Sequence, residues 1–204
     1  MFCIILTSCF EITEKVNHTS NGSGEYDLII NFSNSWMKTR AAIMLGEVDG
    51  EKIPNEESIT DQLNDFKLEA SKIKGITNVS VSKDFTSYIF KLHFKYDSIQ
   101  SLNNVLNLLD RGNTIEKHFL SNDLQFQRNA SYPFPPKLKD KKNKKNDLEK
   151  AKITAIYTFD KKVQLTSNLN SKLSKSKYRV FLQDNAWRVI QNNELMNNSI
   201  LLMP

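Results

Sequence analysis

The chain is short of the residues that punctuate or cross-link a polypeptide: among 204 residues there are six glycines, five prolines, two cysteines and two tryptophans. So little glycine and proline excludes collagenous and low-complexity chains, while 39% hydrophobic residues suffice for a packed core. Two cysteines are too few for a disulfide scaffold. Histidine is equally scarce. None of His18, His93 and His118 has a second His or Cys at ligand spacing, and HExxH, CxxC and HxH patterns are missing, so no metal site is expected. No G-x-S-x-G elbow anchors a serine hydrolase, and acid pairs such as Glu56-Glu57 and Asp61-Asp65 are ordinary on a solvated helix face. No apolar run approaches the roughly 18–20 residues that cross a bilayer. The expectation is a protein without cofactor and without catalysis.

Charge is present, but in one place. The 28 Lys and Arg exceed the 23 Asp and Glu by five, and residues 137–152 alone hold eight lysines against three acids. The rest of the chain is therefore neutral. The basic segment has no arginine, and no aromatic residue falls between Phe134 and Tyr157, which argues against nucleic acid, where stacking rings accompany phosphate-binding cations. An exposed, mobile loop or helix end is expected there. Its Lys139, Lys141, Lys142, Lys144 and Lys145 are candidates for contact with anionic lipid or an envelope polymer, at about 1 kcal/mol per lysine near such a surface.

At the start, an apolar run ends in Leu6-Thr7-Ser8-Cys9, after which the chain turns polar at Glu11, Thr13, Glu14 and Lys15. This resembles a bacterial lipobox, with Leu at −3, small residues before the cleaved bond and Cys9 as the lipidated residue. The resemblance implies that residues 1–8 are the remnant of a signal peptide, that the true start lies upstream, and that residues 9–204 form one domain anchored to a membrane through Cys9. A signal ordinarily carries a basic segment and a longer apolar stretch, and neither precedes Cys9 here. The competing reading of residues 2–6 is a first strand of a cytosolic protein.

Along the body, Phe10, Ile12 and Val16, then Asn21-Gly22-Ser23-Gly24, then Tyr26, Leu28, Ile30 and Phe32 predict a β-hairpin. Helical spacing follows at residues 33–45. A better-marked helix follows Pro54-Asn55, with Ile59, Leu63, Phe66 and Ala70 on one stripe and Gly75 as the stop. Residues 76–96 predict a second hairpin, with Tyr88, Phe90, Leu92, Phe94 and Tyr96 on its core face, and residues 98–109 a third helix. Strands are expected near Phe126, over residues 153–159 and near Val180. Asp184 is the expected cap of a short helix, and the apolar tail after Leu195 an expected edge strand. The fold class is α+β: an antiparallel sheet built from hairpins with helices packed on one face.

The opening Cys9-Phe10-Glu11-Ile12-Thr13-Glu14-Lys15-Val16, with the Gly-Ser-Gly turn and the strand ending Asn31-Phe32-Ser33, is similar to uncharacterised lipoproteins of Bacteroidota. More distantly, the hairpin-first layout resembles a lipid-binding lipoprotein domain of mycobacteria, a likeness of fold alone. The resemblance implies a cell-envelope protein without an assigned reaction, acting as a binding or assembly module. The alternative is a carrier or sensor that encloses an apolar ligand near Trp36, Phe66, Phe90 and Phe94; an envelope enzyme, with His93 or His118 beside carboxylates and a nucleophile, is the third reading.

Overall fold

The structure, a computed structural model, describes residues 10–48, 50–110, 117–132, 134 and 136–204. From the fully buried Phe10 the chain runs into β1 (Glu11–His18), turns through Gly22 at φ 89°, and returns as β2 (Gly24–Asn31). Gly24 is needed for a different reason, because a Cβ there would collide with the Asn17 carbonyl and the Tyr96 hydroxyl. Next come α1 (Trp36–Leu45), the ribbon of β3 (Glu47–Val48) and β4 (Glu51–Lys52), and α2 (Glu56–Ser71). The Asn55 side chain caps α2 by accepting the Ser58 N–H at 2.8 Å, and Glu56 and Glu57 complement the helix dipole. The second hairpin is β5 (Ile76–Asp84) and β6 (Ile89–Tyr96), followed by α3 (Ile99–Leu109), capped by Ser98. Then come β7 (Phe119–Ser121), β8 (Gln125–Arg128), α4 (Lys145–Lys150), β9 (Lys152–Phe159), β10 (Val163–Thr166) and β11 (Lys172–Leu173). The chain closes with β12 (Arg179–Asn185), α5 (Ala186–Gln191) and β13 (Asn198–Leu202).

The strands form a seven-stranded sheet, order β11-β12-β9-β1-β2-β6-β5, and a four-stranded sheet, order β10-β13-β8-β7. The α+β class is the expected one, and hairpins supply most of its pairings. The addition is one parallel pair, β1 with β9, in register from Glu11 opposite Lys152 to His18 opposite Phe159. Period-2 geometry gives the larger sheet one buried face. Ile12, Glu14 and Val16 of β1 share it with Tyr26 of β2, Phe90 and Phe94 of β6, and Ile153 and Tyr157 of β9. The opposite face carries Lys91, Lys95 and His93, whose Nδ1 lies 2.9 Å from Asp27. Helices α2 and α3 cover one part of the buried face. The smaller sheet contacts another part, Phe126 sitting 5.6 Å from Tyr157 and 5.3 Å from Phe159 between ring centroids.

Three local expectations change. β13 pairs on both sides, with β10 and β8, because the tail's alternating Asn198, Ile200 and Leu202 are buried. Asn185 rather than Asp184 caps α5, accepting the Arg188 N–H at 2.9 Å, while Asp184 pairs with the Arg188 guanidinium at 3.2 Å. The basic segment is helical, as one of its two expected forms, but not wholly exposed. It forms 3-10 turns at Pro136–Asp140 and Lys142–Lys144 before α4, because Leu138, Leu148 and Ala151 turn into the core between the lysines. Gln191 of α5 donates to the Lys139 carbonyl at 3.1 Å. Leu148→Ala is therefore expected to lower unfolding free energy by about 2–3 kcal/mol, near the low end for buried leucine because the segment can resettle. Changing the five lysines to glutamine should shift it by under about 0.5 kcal/mol. Urea titrations of both variants check this, and equal small effects would show that the segment does not pack.

Candidate functional site, a cavity between sheet and helices

A cavity of about 240 Å³ lies between the buried face of the larger sheet and helices α2 and α3. Ile12, Leu28, Ile30, Phe90 and Leu92 line it from the sheet, and Leu63, Phe66, Leu106 and Leu109 from the helices. The helical stripe that the sequence predicts as core thus does two jobs: Ile59 and Ala70 seal α2 against the body, while Leu63 and Phe66 border open space. Gln62 and the exposed Asp65 lie at the rim.

One end is polar. Arg128 at the end of β8 reaches Glu14 in the middle of β1, its Nε donating to Oε1 at 3.1 Å and its Nη2 to Oε2 at 2.8 Å. Both side chains are almost fully buried, at 3% and 2% exposure. The remaining acceptor capacity of the carboxylate is taken by the Tyr157 hydroxyl on Oε1 at 3.3 Å and the Tyr26 hydroxyl on Oε2 at 3.2 Å. Nη1 of Arg128 donates to the carbonyls of Asn129 at 2.8 Å and His118 at 3.3 Å, and its guanidinium lies over the Phe119 ring at 4.6 Å. Burial opposes the arginine charge, but Glu14 and the surrounding tyrosines outweigh it and hold the group above its ordinary pKa. Burial first, and Glu14 second, push the phenols of Tyr26, Tyr157 and Tyr132 up, so all three keep their protons at neutral pH.

Beside the pair, Asp110 accepts the Ser131 hydroxyl at 2.9 Å, and His118 Nε2 lies 3.0 Å from Asn107 Oδ1 and 4.0 Å from Asp110. Burial, reinforced by Arg128, lowers the His118 pKa to about 4. A serine, an acid and a histidine meet here, but the serine hydroxyl donates to the carboxylate and not to imidazole, so the order of a Ser-His-acid relay is not formed. Tyr132 completes this end. Its hydroxyl is buried and has no hydrogen-bond partner among the described residues.

Of the aromatics considered from sequence, Phe66 and Phe90 line the cavity. Phe94 is fully buried against Tyr26 at 5.1 Å, and Trp36 stands on α1 with 44% exposure, outside the cavity. The lipidation candidate Cys9 lies outside the described residues. Lys139, Lys142 and Lys145 are exposed and Lys141 and Lys144 half-buried, and none of the five borders the cavity. His93 sits on the solvent face of the sheet. His18 is buried in the core, its Nδ1 3.0 Å from the Tyr96 hydroxyl and its Nε2 3.0 Å from Ser121 Oγ. Among the described residues, no three His, Cys, Asp or Glu side chains converge as metal ligands, and no helix is long and apolar enough to cross a membrane. The sequence reading missed Glu14, Arg128 and Tyr132. The signal for Glu14 was available: it is the charged member of the alternating series Ile12, Glu14, Val16.

Fold and cavity together define an α+β domain with a ligand-sized space between its sheet and two helices. No family model matches the chain, and no curated protein does. Among solved structures it is similar to the folded domain of the Mycobacterium tuberculosis LppM protein, determined by NMR, at 10% identity over 96% of this chain and 90% of that one, with a TM-score of 0.45.

Proposed function

We propose that this protein is a non-enzymatic binding module of the bacterial cell envelope that carries or senses an apolar ligand in the sheet–helix cavity. The observation that carries the reading is the cavity itself, about 240 Å³ of space walled by aliphatic and aromatic side chains from three strands and two helices and closed by convergent polar groups at one end. Burying about six methylenes there would contribute roughly 5 kcal/mol, which corresponds to dissociation between millimolar and micromolar. The lipobox-like Leu6-Thr7-Ser8-Cys9 supports anchorage. Phe10, the residue after Cys9, is fully buried, so lipid on Cys9 would hold the end of β1 at the membrane. Anionic headgroups or an envelope polymer would then meet the surface that carries lysines 139, 141, 142, 144 and 145, of which Lys145 also pairs with Glu149 at 3.7 Å.

Titration of the full chain with octan-1-ol, followed by amide NMR, is expected to saturate, with the largest shifts around Leu28 and Leu106. Leu28 is half-buried and borders the cavity, so Leu28→Trp should fill the space and weaken binding at least about ten-fold while the fold survives. No saturable shifts in the unsubstituted protein up to the solubility limit would refute the binding reading. In cells, Cys9→Ser should move the protein from the membrane fraction to the soluble one, and its persistence in the membrane would refute the anchor.

A further inference from the structure

The cavity's polar end is built in a way that constrains its ligand. An arginine at the end of an apolar cavity suggests an anionic headgroup, but here the guanidinium is already spent. Nε and Nη2 both face the Glu14 carboxylate, and Nη1 serves two backbone carbonyls. The carboxylate, in turn, is filled by two arginine N–H groups and two tyrosine hydroxyls. This pair is charge-neutral and satisfied within itself. The other carboxylate at this end, Asp110, accepts the Ser131 hydroxyl, and the lowered pKa of His118 leaves its imidazole neutral at pH 7. An entering carboxylate or phosphate would lose its hydration and meet no uncommitted cation among the described residues.

What this end does offer is Tyr132. The side chain borders the cavity, is more than nine-tenths buried, and its hydroxyl has no partner among the described residues. A buried phenol left unpaired is costly, and a ligand oxygen placed against it removes that cost. Size adds a second constraint. About 240 Å³ lies below the roughly 300–1,000 Å³ of sites for drug-sized molecules, which fits one short acyl or alkyl chain and not a pair.

Resting on the binding reading above, we infer that the cavity selects a single-chain amphiphile with an uncharged oxygen headgroup, an alcohol or ester, hydrogen-bonded to the Tyr132 hydroxyl. The headgroup sits against Tyr132 beside the Glu14–Arg128 pair, and the chain runs between Leu28 and Leu92 of the sheet and Leu63 and Leu106 of the helices. Discrimination comes from the asymmetry between a neutral oxygen, which finds a donor in Tyr132, and an anionic group, which finds no uncommitted cation among the described residues.

The test is calorimetric titration of the full chain at pH 7.5 with octan-1-ol, methyl octanoate and sodium octanoate. The alcohol and the ester should bind at least about ten-fold more tightly than octanoate. Tyr132→Phe removes a hydroxyl that has no partner to lose, so the variant should fold and melt at or above the temperature of the unsubstituted protein. It should nonetheless bind octan-1-ol roughly five-fold more weakly. Octanoate binding as tightly as the alcohol, or Tyr132→Phe keeping full affinity for it, overturns the headgroup assignment and leaves the cavity reading standing. If none of the three probes binds, the cavity reading itself falls and takes this inference with it.

Discussion

Arg128→Met should destabilise the protein by about 3–5 kcal/mol, a loss read from urea denaturation at pH 7.5. The side chain removed packs against Phe119 and is of similar length to its replacement, so little of the effect comes from volume. What changes is Glu14, left as a buried carboxylate with only the Tyr26 and Tyr157 hydroxyls to face. Isolated charges in such surroundings are intolerable, and the group must take up a proton or draw in water. A second substitution separates this cause from lost packing. Adding Glu14→Gln to Arg128→Met removes the orphaned charge yet keeps an amide oxygen for the two tyrosines, and should recover more than half of the loss. Arg128→Lys should fall between, because one ammonium cannot address both carboxylate oxygens and two backbone carbonyls. A loss under about 1 kcal/mol for Arg128→Met would mean that the pair is solvated and that this end of the cavity is open water.

The pair also joins the two sheets, which explains why it was hard to foresee. Glu14 belongs to the central strand of the larger sheet and Arg128 to the smaller one, 114 positions further along the chain. Local pattern speaks for each strand's own face and turn. It marked β1, β2, β5, β6, α2 and α3 correctly, because alternation, an Asn or Ser cap and a glycine stop are local signals. It was silent on the parallel docking of β9 beside β1, which depends on a crossover through most of the chain. The basic segment misled for a related reason. Lysines dominate its composition, but Leu138, Leu148 and Ala151 carry its packing, and three apolar residues among sixteen give no periodicity to read.

The cavity was partly visible and partly not. Its apolar walls were readable as the inward faces of predicted strands and helices, and Phe66 and Phe90 were among the residues considered for a ligand. That a gap remains between those faces depends on how far α2 and α3 stand from the sheet, which no sequence period encodes. The polar end left a fainter trace. Glu14 and His18 occupy inward positions of β1, and Arg128 alternates with the buried Phe126 and Ala130. Charged or titratable residues at inward positions of an otherwise apolar series mark either a buried pair or a site, and here Glu14 and Arg128 are a buried pair that borders the cavity.

Stability is expected to fall steeply on mild acidification, by at most about 5 kcal/mol between pH 6.5 and pH 4.5, from two histidines alone. Burial lowers the pKa of His18 from 6.5 to about 4 against a smaller opposing effect of Asp160, and burial with Arg128 does the same to His118 against Asp110 and Glu14. Each folded-state value lies below the unfolded one, so between 6.5 and about 4 the unfolded chain binds protons that the folded chain refuses. Stability is thus fully present above pH 6.5 and is lost as pH falls toward 4, at about 1.4 kcal/mol per unit for each histidine. Ordinary carboxylates stay ionised in the upper part of this window, so the slope between pH 6.5 and about 5.5 is the part that reports the imidazoles. Urea midpoints measured in half-unit steps should therefore decline from pH 6.5 downward, and either His18→Asn or His118→Asn should roughly halve the slope. His18 is held by Tyr96, Ser121 and the Phe126 ring at 5.0 Å, away from the cavity, whereas His118 lines it. Octan-1-ol should accordingly shift the curve of the His18→Asn variant, where His118 still titrates, to the same extent as that of the unsubstituted protein. A flat profile down to pH 4.5 would show that both imidazoles take up protons without loss of the fold, and that the core around them admits water.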